Sequence, residues 1–244
     1  MSIWGKILGG AAGLAIAGPI GALIGAIAGH AVDRYRATQI EEGGADPTKS
    51  IAFTIGVIVL SAKMAKADGV VTRDEIDAFK QVFRVPPQET ENVAKVFNQA
   101  RRASGGFEPY AKQLAGMFRE NPVVLEEVLN CLAYVAHADG TLHPAEKQYL
   151  QSVSKIFALD GAAFERATAT KLDAEAANPY QLLGVTRAAS NNELKSAYRT
   201  LVRENHPDRL MAQGVPEEFI EVANKKLAAI NAAYETVQKE RGFI

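Results

Sequence analysis

Residues 190–208 read SNNELKSAYRTLVRENHPD, and this stretch decides the fold of the C-terminal part of the chain. Ser190 followed by Glu193 is a capping box, a pattern that opens a helix by satisfying its first free N–H groups. Leu194, Ala197, Tyr198 and Leu201 then recur at three- and four-residue spacing, an apolar stripe on one helix face. The helix is expected to run to about Asn205. His206-Pro207-Asp208 follows, and proline there cannot continue the helix and favours a turn. Lys195, Arg199 and Arg203 are four residues apart and share a second, basic face.

Working outward, Asn178-Pro179-Tyr180-Gln181-Leu182-Leu183-Gly184-Val185 predicts a short helix ended by Gly184. Downstream, a further helix starts near Pro216, with Phe219, Ala223, Leu227, Ile230, Tyr234 and Val237 on one face. The two long helices are expected to pair antiparallel, stripe to stripe, with Tyr180 and Leu183 closing one end. One such core is just adequate for a domain this small.

In this order and at these separations, Pro179-Tyr180-x-Leu182-Leu183-Gly184-Val185, Leu194-Lys195-x-Ala197-Tyr198-Arg199-x-Leu201, His206-Pro207-Asp208 and Ile230-Asn231-x-Ala233-Tyr234 resemble the J domain of the DnaJ family. The resemblance covers residues 178–244 and is highly specific, whereas a lone His-Pro-Asp would be weak. It implies a co-chaperone that does no chemistry itself but binds a DnaK-type chaperone and stimulates its ATP hydrolysis. The binding residues would be His206, Pro207, Asp208, Lys195, Arg199 and Arg203. The basic stripe suits an acidic partner surface, helping encounter and register. The Asp208 carboxylate suits a charge-assisted bond from a partner arginine. Pro207 stiffens the turn, and His206 orients it. Ser196, Thr200 and Glu204 stand where J domains are often basic, and Asn205 replaces a frequent aromatic, so the partner-facing charge is thinner. The Gly/Phe-rich segment and cysteine zinc module of full DnaJ have no counterpart here, which argues against general client binding.

Upstream lies a repeat. Ala65-Lys66-Ala67-Asp68-Gly69-Val70-Val71-Thr72-Arg73-Asp74-Glu75 matches Ala136-His137-Ala138-Asp139-Gly140-Thr141-Leu142-His143-Pro144-Ala145-Glu146. Each copy follows one apolar helical run and precedes another. Asp-Gly ends a helix, because glycine takes the left-handed cap cheaply. Thr72 with Glu75 is a capping box, and Pro144 suits a first helical position. Helical spacing continues through Val93–Ala103, Tyr110–Arg119, Val123–Ala138 and Glu146–Phe157, with breakers at Pro86-Pro87, Gly105-Gly106, Asn121-Pro122 and Asp160-Gly161. No alternating pattern competes, so the fold class is all-α. The doubled unit resembles the TerB domain over residues 47–172. That family's acidic turns are ascribed a metal site, which here would be Asp68, Glu75, Asp139 and Glu146. Four converging carboxylates suit a hard divalent cation such as calcium, although EF-hand loop spacing is missing. Capping and turn roles account for each carboxylate without metal.

At the N-terminus no fixed charge occurs from Ile7 to Val32, between Lys6 and Asp33-Arg34. That length suffices for a bilayer-spanning helix. It exceeds the apolar core of a signal peptide, so a retained anchor is the reading. Arg34 and Arg36 follow the span and only Lys6 precedes it, which places the C-terminal side in the cytoplasm. The protein is then expected in the bacterial inner membrane, single-pass, with its N-terminus periplasmic. Gly21, Gly25 and Gly29 recur every fourth residue, a stripe on which two helices approach closely. The readings are a homodimer through this helix, or merely the abundance of small residues in such helices. A second apolar run, Ile51–Ala62, is too short to span and reads as a buried core helix.

The expected plan is therefore an anchor over 1–33, a juxtamembrane linker over 34–46, a TerB-like bundle over 47–172, a linker over 173–177 and a J-domain helical hairpin over 178–244. Net charge is −1 over 244 residues, so no global field points to nucleic acid. One cysteine, Cys131, excludes a disulfide framework and a Cys-based zinc site. No nucleophile, metal motif or oriented carboxylate accompanies His206, so an enzyme is not expected. The competing reading is a TerB-centred metal or envelope-stress sensor that uses the J domain as output.

Overall fold

The computed structural model describes residues 16–28, 47–68, 76–77, 79–80, 84–138, 140, 142–168 and 178–243. Among these residues the chain is helical, without a strand. The helices are α1 (Gly18–Ala28), α2 (Pro47–Asp68), α3 (Thr90–Arg102), α4 (Glu108–Met117), α5 (Pro122–Ala136), α6 (Pro144–Ile156), α7 (Gly161–Thr168), α8 (Pro179–Leu182), α9 (Asn191–Glu204), α10 (Pro207–Ala212) and α11 (Ile220–Arg241). Proline is the first residue of α2, α5, α6, α8 and α10, where its fixed φ suits the helix and its missing N–H costs nothing.

The bundle is built around α2, on which α3, α4, α5 and α6 pack. Every residue of α2 from Ile51 to Ala65 is buried. Its segment Thr48–Ala65 is long and apolar enough to cross a membrane, yet it is 83% buried within the fold. It is the core helix that its short apolar run predicts. Two buried polar groups of α2 find partners inside the fold, as burial favours, whereas the Ser61 hydroxyl has none among the described residues. The Lys63 ammonium donates to the Ala103 and Gly105 carbonyls at 2.9 and 2.5 Å, and the Thr54 hydroxyl to the Ser50 carbonyl at 2.9 Å. The Tyr149 hydroxyl of α6 donates to the Leu60 carbonyl at 2.9 Å. At Gly56 a Cβ would fall 2.5 Å from Leu114 Cδ1, so glycine there sets how closely α4 approaches.

The apolar α1 lies on α3 and α4, and its Ile20 and Leu23, with Ile16 just before it, join the core. Gln113 of α4 clamps its start: Oε1 accepts from the Ile20 N–H at 2.9 Å and Nε2 donates to the Ala17 carbonyl at 2.6 Å. Gly21 is half-buried; Gly25 is exposed, and a Cβ there would meet nothing within 4 Å. Gly29 lies outside the described residues.

In the C-terminal part, α9 and α11 run antiparallel. Lys195, early in α9, sits 5.6 Å over the ring of Phe243, beyond the end of α11. Tyr198, later in α9, stacks on Tyr234 at 3.9 Å and 2°, and its hydroxyl donates to Asn231 at 3.1 Å. Tyr180 and Leu183 close the end as expected. The Arg241 guanidinium braces this corner, donating to the Tyr180 hydroxyl at 3.0 Å and to the Ala189 and Arg187 carbonyls.

The stripe on α11 departs from expectation. Only its C-terminal half, Ile230, Tyr234 and Val237, faces α9. Its N-terminal half, with Phe219 just before it, is buried in the core of the bundle, as are Leu210 and Val215 from the segment leading to α11. Phe219 meets Phe53 of α2 edge-to-face at 4.9 Å. Lys226, 2% exposed, lies 2.8 Å from Glu127 and 3.4 Å from Glu126, and Glu126 also receives Arg166 of α7 at 3.1 and 2.9 Å. The Lys226–Glu127 pair meets at ion-pair distance but off the hydrogen-bonding direction. Asn130 donates to the other Glu127 oxygen at 2.9 Å. Burial opposes the Lys226 charge, but the carboxylates of Glu127 and Glu126 outweigh it and hold the ammonium above its ordinary value. Cys131 is fully buried beside this cluster, and burial, then the Glu127 carboxylate, pushes its thiol well up.

Candidate partner-binding site

The site begins where α9 ends. Asn205, 1% exposed, closes the helix: its backbone N–H and its side-chain amide both donate to the Leu201 carbonyl, at 2.9 and 2.8 Å. An aromatic in this position would fill space; asparagine instead satisfies a terminal carbonyl.

His206 then adopts an extended conformation (φ −66°, ψ 134°) as the N-cap of α10, and Pro207 is the first residue of that helix. His206-Pro207-Asp208 is thus a helix start rather than the plain turn expected from the proline. The His206 Nδ1 accepts from the Asp208 N–H at 3.3 Å, which satisfies one free donor of the new helix. The Asp208 carboxylate lies 3.8 Å from the same Nδ1. Both side chains face water, His206 at 54% and Asp208 at 83% exposure.

These residues edge a shallow groove of about 430 Å3 whose other walls are Tyr198, Arg199, Val202, Arg203 and Arg209. The structure therefore brings Arg199 and Arg203 to the His-Pro-Asp edge. Lys195, on the same face but further up α9, is used over Phe243. Sequence reasoning missed Arg209, which adds a third guanidinium to the groove. Its adjacency to Asp208 at the start of a helix is the signal that would have found it. Tyr198 and Val202 were also missed: Tyr198 reads as core, yet its position also floors the groove. Apolar floor, guanidinium rim and one exposed carboxylate suit a protein surface of acidic character carrying a cation opposite Asp208.

The acidic quartet of the repeat fares differently. Glu146 is buried, and its carboxylate accepts from the His143 N–H at 2.9 Å, the reciprocal half of a capping box. The side chain of Asp68, and Glu75 and Asp139 entirely, lie outside the described residues. Among the described residues no group of three potential metal ligands converges.

Comparison with known proteins covers the whole chain. Residues 1–46 match the family model of the Co-chaperone DjlA transmembrane domain, 54–169 that of Tellurite resistance protein TerB and 178–241 that of the DnaJ domain. The Co-chaperone protein DjlA of Photobacterium profundum is 30% identical over 281 residues, covering 99% of this chain and 100% of the relative. The protein of the same name from Coxiella burnetii is 29% identical over 267 residues, covering 98% of each. No solved structure matches.

Proposed function

Since the chain belongs to the family of DjlA co-chaperones, we propose that it docks a DnaK-type chaperone on the groove beside His206-Pro207-Asp208 and stimulates that chaperone's ATP hydrolysis. The observation that carries this reading is the geometry of the groove. An 83%-exposed Asp208 carboxylate stands at the start of α10 with Arg199, Arg203 and Arg209 around it. The guanidinium rim draws an acidic partner surface into register, and Asp208 accepts from a cation on that partner. His206 fixes the direction of the Asp208 backbone and presents its ring beside the carboxylate. The chain itself moves no bond; it supplies a shape and charge that the partner's ATPase cycle reads.

The chain carries a DjlA-type transmembrane domain over residues 1–46. Arg34 and Arg36 on one side against Lys6 on the other support an orientation with the two following domains at the cytoplasmic face of the inner membrane. Gly25 is exposed with open space beside it, which supports self-association through the Gly21, Gly25 and Gly29 spacing. A membrane reporter of helix association with Gly25→Leu and Gly29→Leu tests this; unchanged association sinks it.

The central test is single-turnover ATP hydrolysis by a DnaK-type chaperone with the full chain in lipid nanodiscs. Asp208→Asn is expected to abolish stimulation, because the amide keeps the shape but loses the charge. Stimulation that survives the change refutes the reading.

A further inference from the structure

The groove rests on a support that lies outside the J domain. α10 begins with Pro207 and, only three residues on, inserts the fully buried Leu210 into the core that belongs to the bundle. Val215 and Phe219 follow it into the same core. Just before Val215 the chain passes close to α2: at Gly214, φ is +107° and a Cβ would stand 2.8 Å from the Cβ of Lys49. Residues 207–219 are thus a strap laid on the bundle, and the partner-facing turn is its first residues.

Four charged side chains fasten the far end of that strap. Lys226 of α11 is inserted between Glu126 and Glu127 of α5, and Arg166 of α7 pairs with Glu126, supplying the second cation of the cluster. Two cations meet two carboxylates, so the cluster is balanced only with Lys226 in place. Removing one member of such a cluster leaves a buried charge without its counter-ion, which is far costlier than removing both. Nearer the surface, Lys225 donates to the Tyr134 hydroxyl at 2.8 Å and Arg84 pairs with Glu221 at 2.8 Å, across the same seam.

We propose that the bundle is a working part of the partner-binding site: through the strap and the Lys226–Glu127–Glu126–Arg166 cluster it holds α10 rigidly and fixes the direction in which Asp208 is presented. Lys226 and Gly214 are then positioning residues for the co-chaperone activity proposed above, on which this inference rests. The middle domain acts on the partner through the J domain's orientation, without touching the partner.

The strap has its own reporters. The N–H groups of Leu210, Gln213 and Val215 donate to the carbonyls of His206, Arg209 and Leu210 at 3.0 Å each. Hydrogen exchange on the full chain in nanodiscs reads these amides, and single-turnover ATP hydrolysis is measured on the same samples. Lys226→Met is expected to speed exchange at Leu210 and Val215 by about tenfold or more while α9 keeps its protection. It should raise the half-saturating concentration for stimulation severalfold and leave the maximal rate in place, because Asp208 itself is intact. Adding Glu127→Gln removes the orphaned charge and should restore both readouts. Gly214→Val disturbs the strap without touching the charged cluster, so it covers the case in which Lys226→Met misfolds. Wild type that stimulates, with variants whose exchange and half-saturation match it, overturns the proposal. Wild type that fails to stimulate overturns instead the functional reading beneath it.

Discussion

Lys226 and Asp208 stand in the same small domain under opposite conditions. The Lys226 side chain is 1% exposed and wedged between carboxylates; the Asp208 side chain is 83% exposed, its carboxylate 3.8 Å from His206 Nδ1. The contrast separates two uses of charge. On the bundle side, charge is desolvated and balanced, so it specifies one docking geometry and tolerates no missing member. On the groove side, charge is solvated and in excess, so it contributes little to folding and is available to a partner.

The sharpest way to break this contrast is to remove Lys226. Lys226→Met should cost about 3–5 kcal/mol of stability in denaturant unfolding of the full chain, because Glu127 is left buried and uncompensated. A loss below about 1 kcal/mol would mean the seam is wet. The same ammonium is held above its ordinary value, so its contribution is complete at neutral pH and fades only as pH rises past the lysine range.

Within the hairpin, the Tyr198–Tyr234 stack is the apolar counterpart of the charged seam. A double-mutant cycle with Tyr198→Leu and Tyr234→Leu should give a coupling of about 1 kcal/mol. No coupling would show that the rings only fill volume. On the groove side the effects move from stability to encounter. Arg203→Ala should raise the half-saturating concentration for ATPase stimulation by a fewfold at low salt, an effect that shrinks as ionic strength rises. Salt independence would remove the steering role. Smallest of all, Asp208→Asn should change unfolding stability by no more than about 0.5 kcal/mol while abolishing stimulation, since that carboxylate is 83% exposed and accepts no hydrogen bond from the described residues.

Legibility in the sequence followed the range of the forces. Helices declared themselves through periodicity, and their starts through proline and capping boxes, because those signals are local. Thus Ser190 and Glu193 close the capping box that their spacing predicts, with Glu193 accepting from the Ser190 N–H at 2.7 Å. The His-Pro-Asp edge with Arg199 and Arg203 was legible for the same reason: all lie within one helix and the turn after it. The seam was not. An apolar stripe on α11 reads alike whether one partner or two cover it, and Lys226 on a helix between Lys225 and Leu227 reads as surface. Glu126 and Glu127 are ordinary in sequence; only the arrival of α7 and α11 from elsewhere in the chain makes them an inner anchor. Arg209 was missed because a turn was expected where a helix begins.

The thiol of Cys131, the chain's only cysteine, lies fully buried against this anchor and is held largely protonated by burial. Because the thiolate is the reactive form, an alkylating reagent reaches it only when the bundle opens. The native chain therefore carries its own clock: the rate at which Cys131 is alkylated under native conditions counts openings of the seam, with no engineered probe.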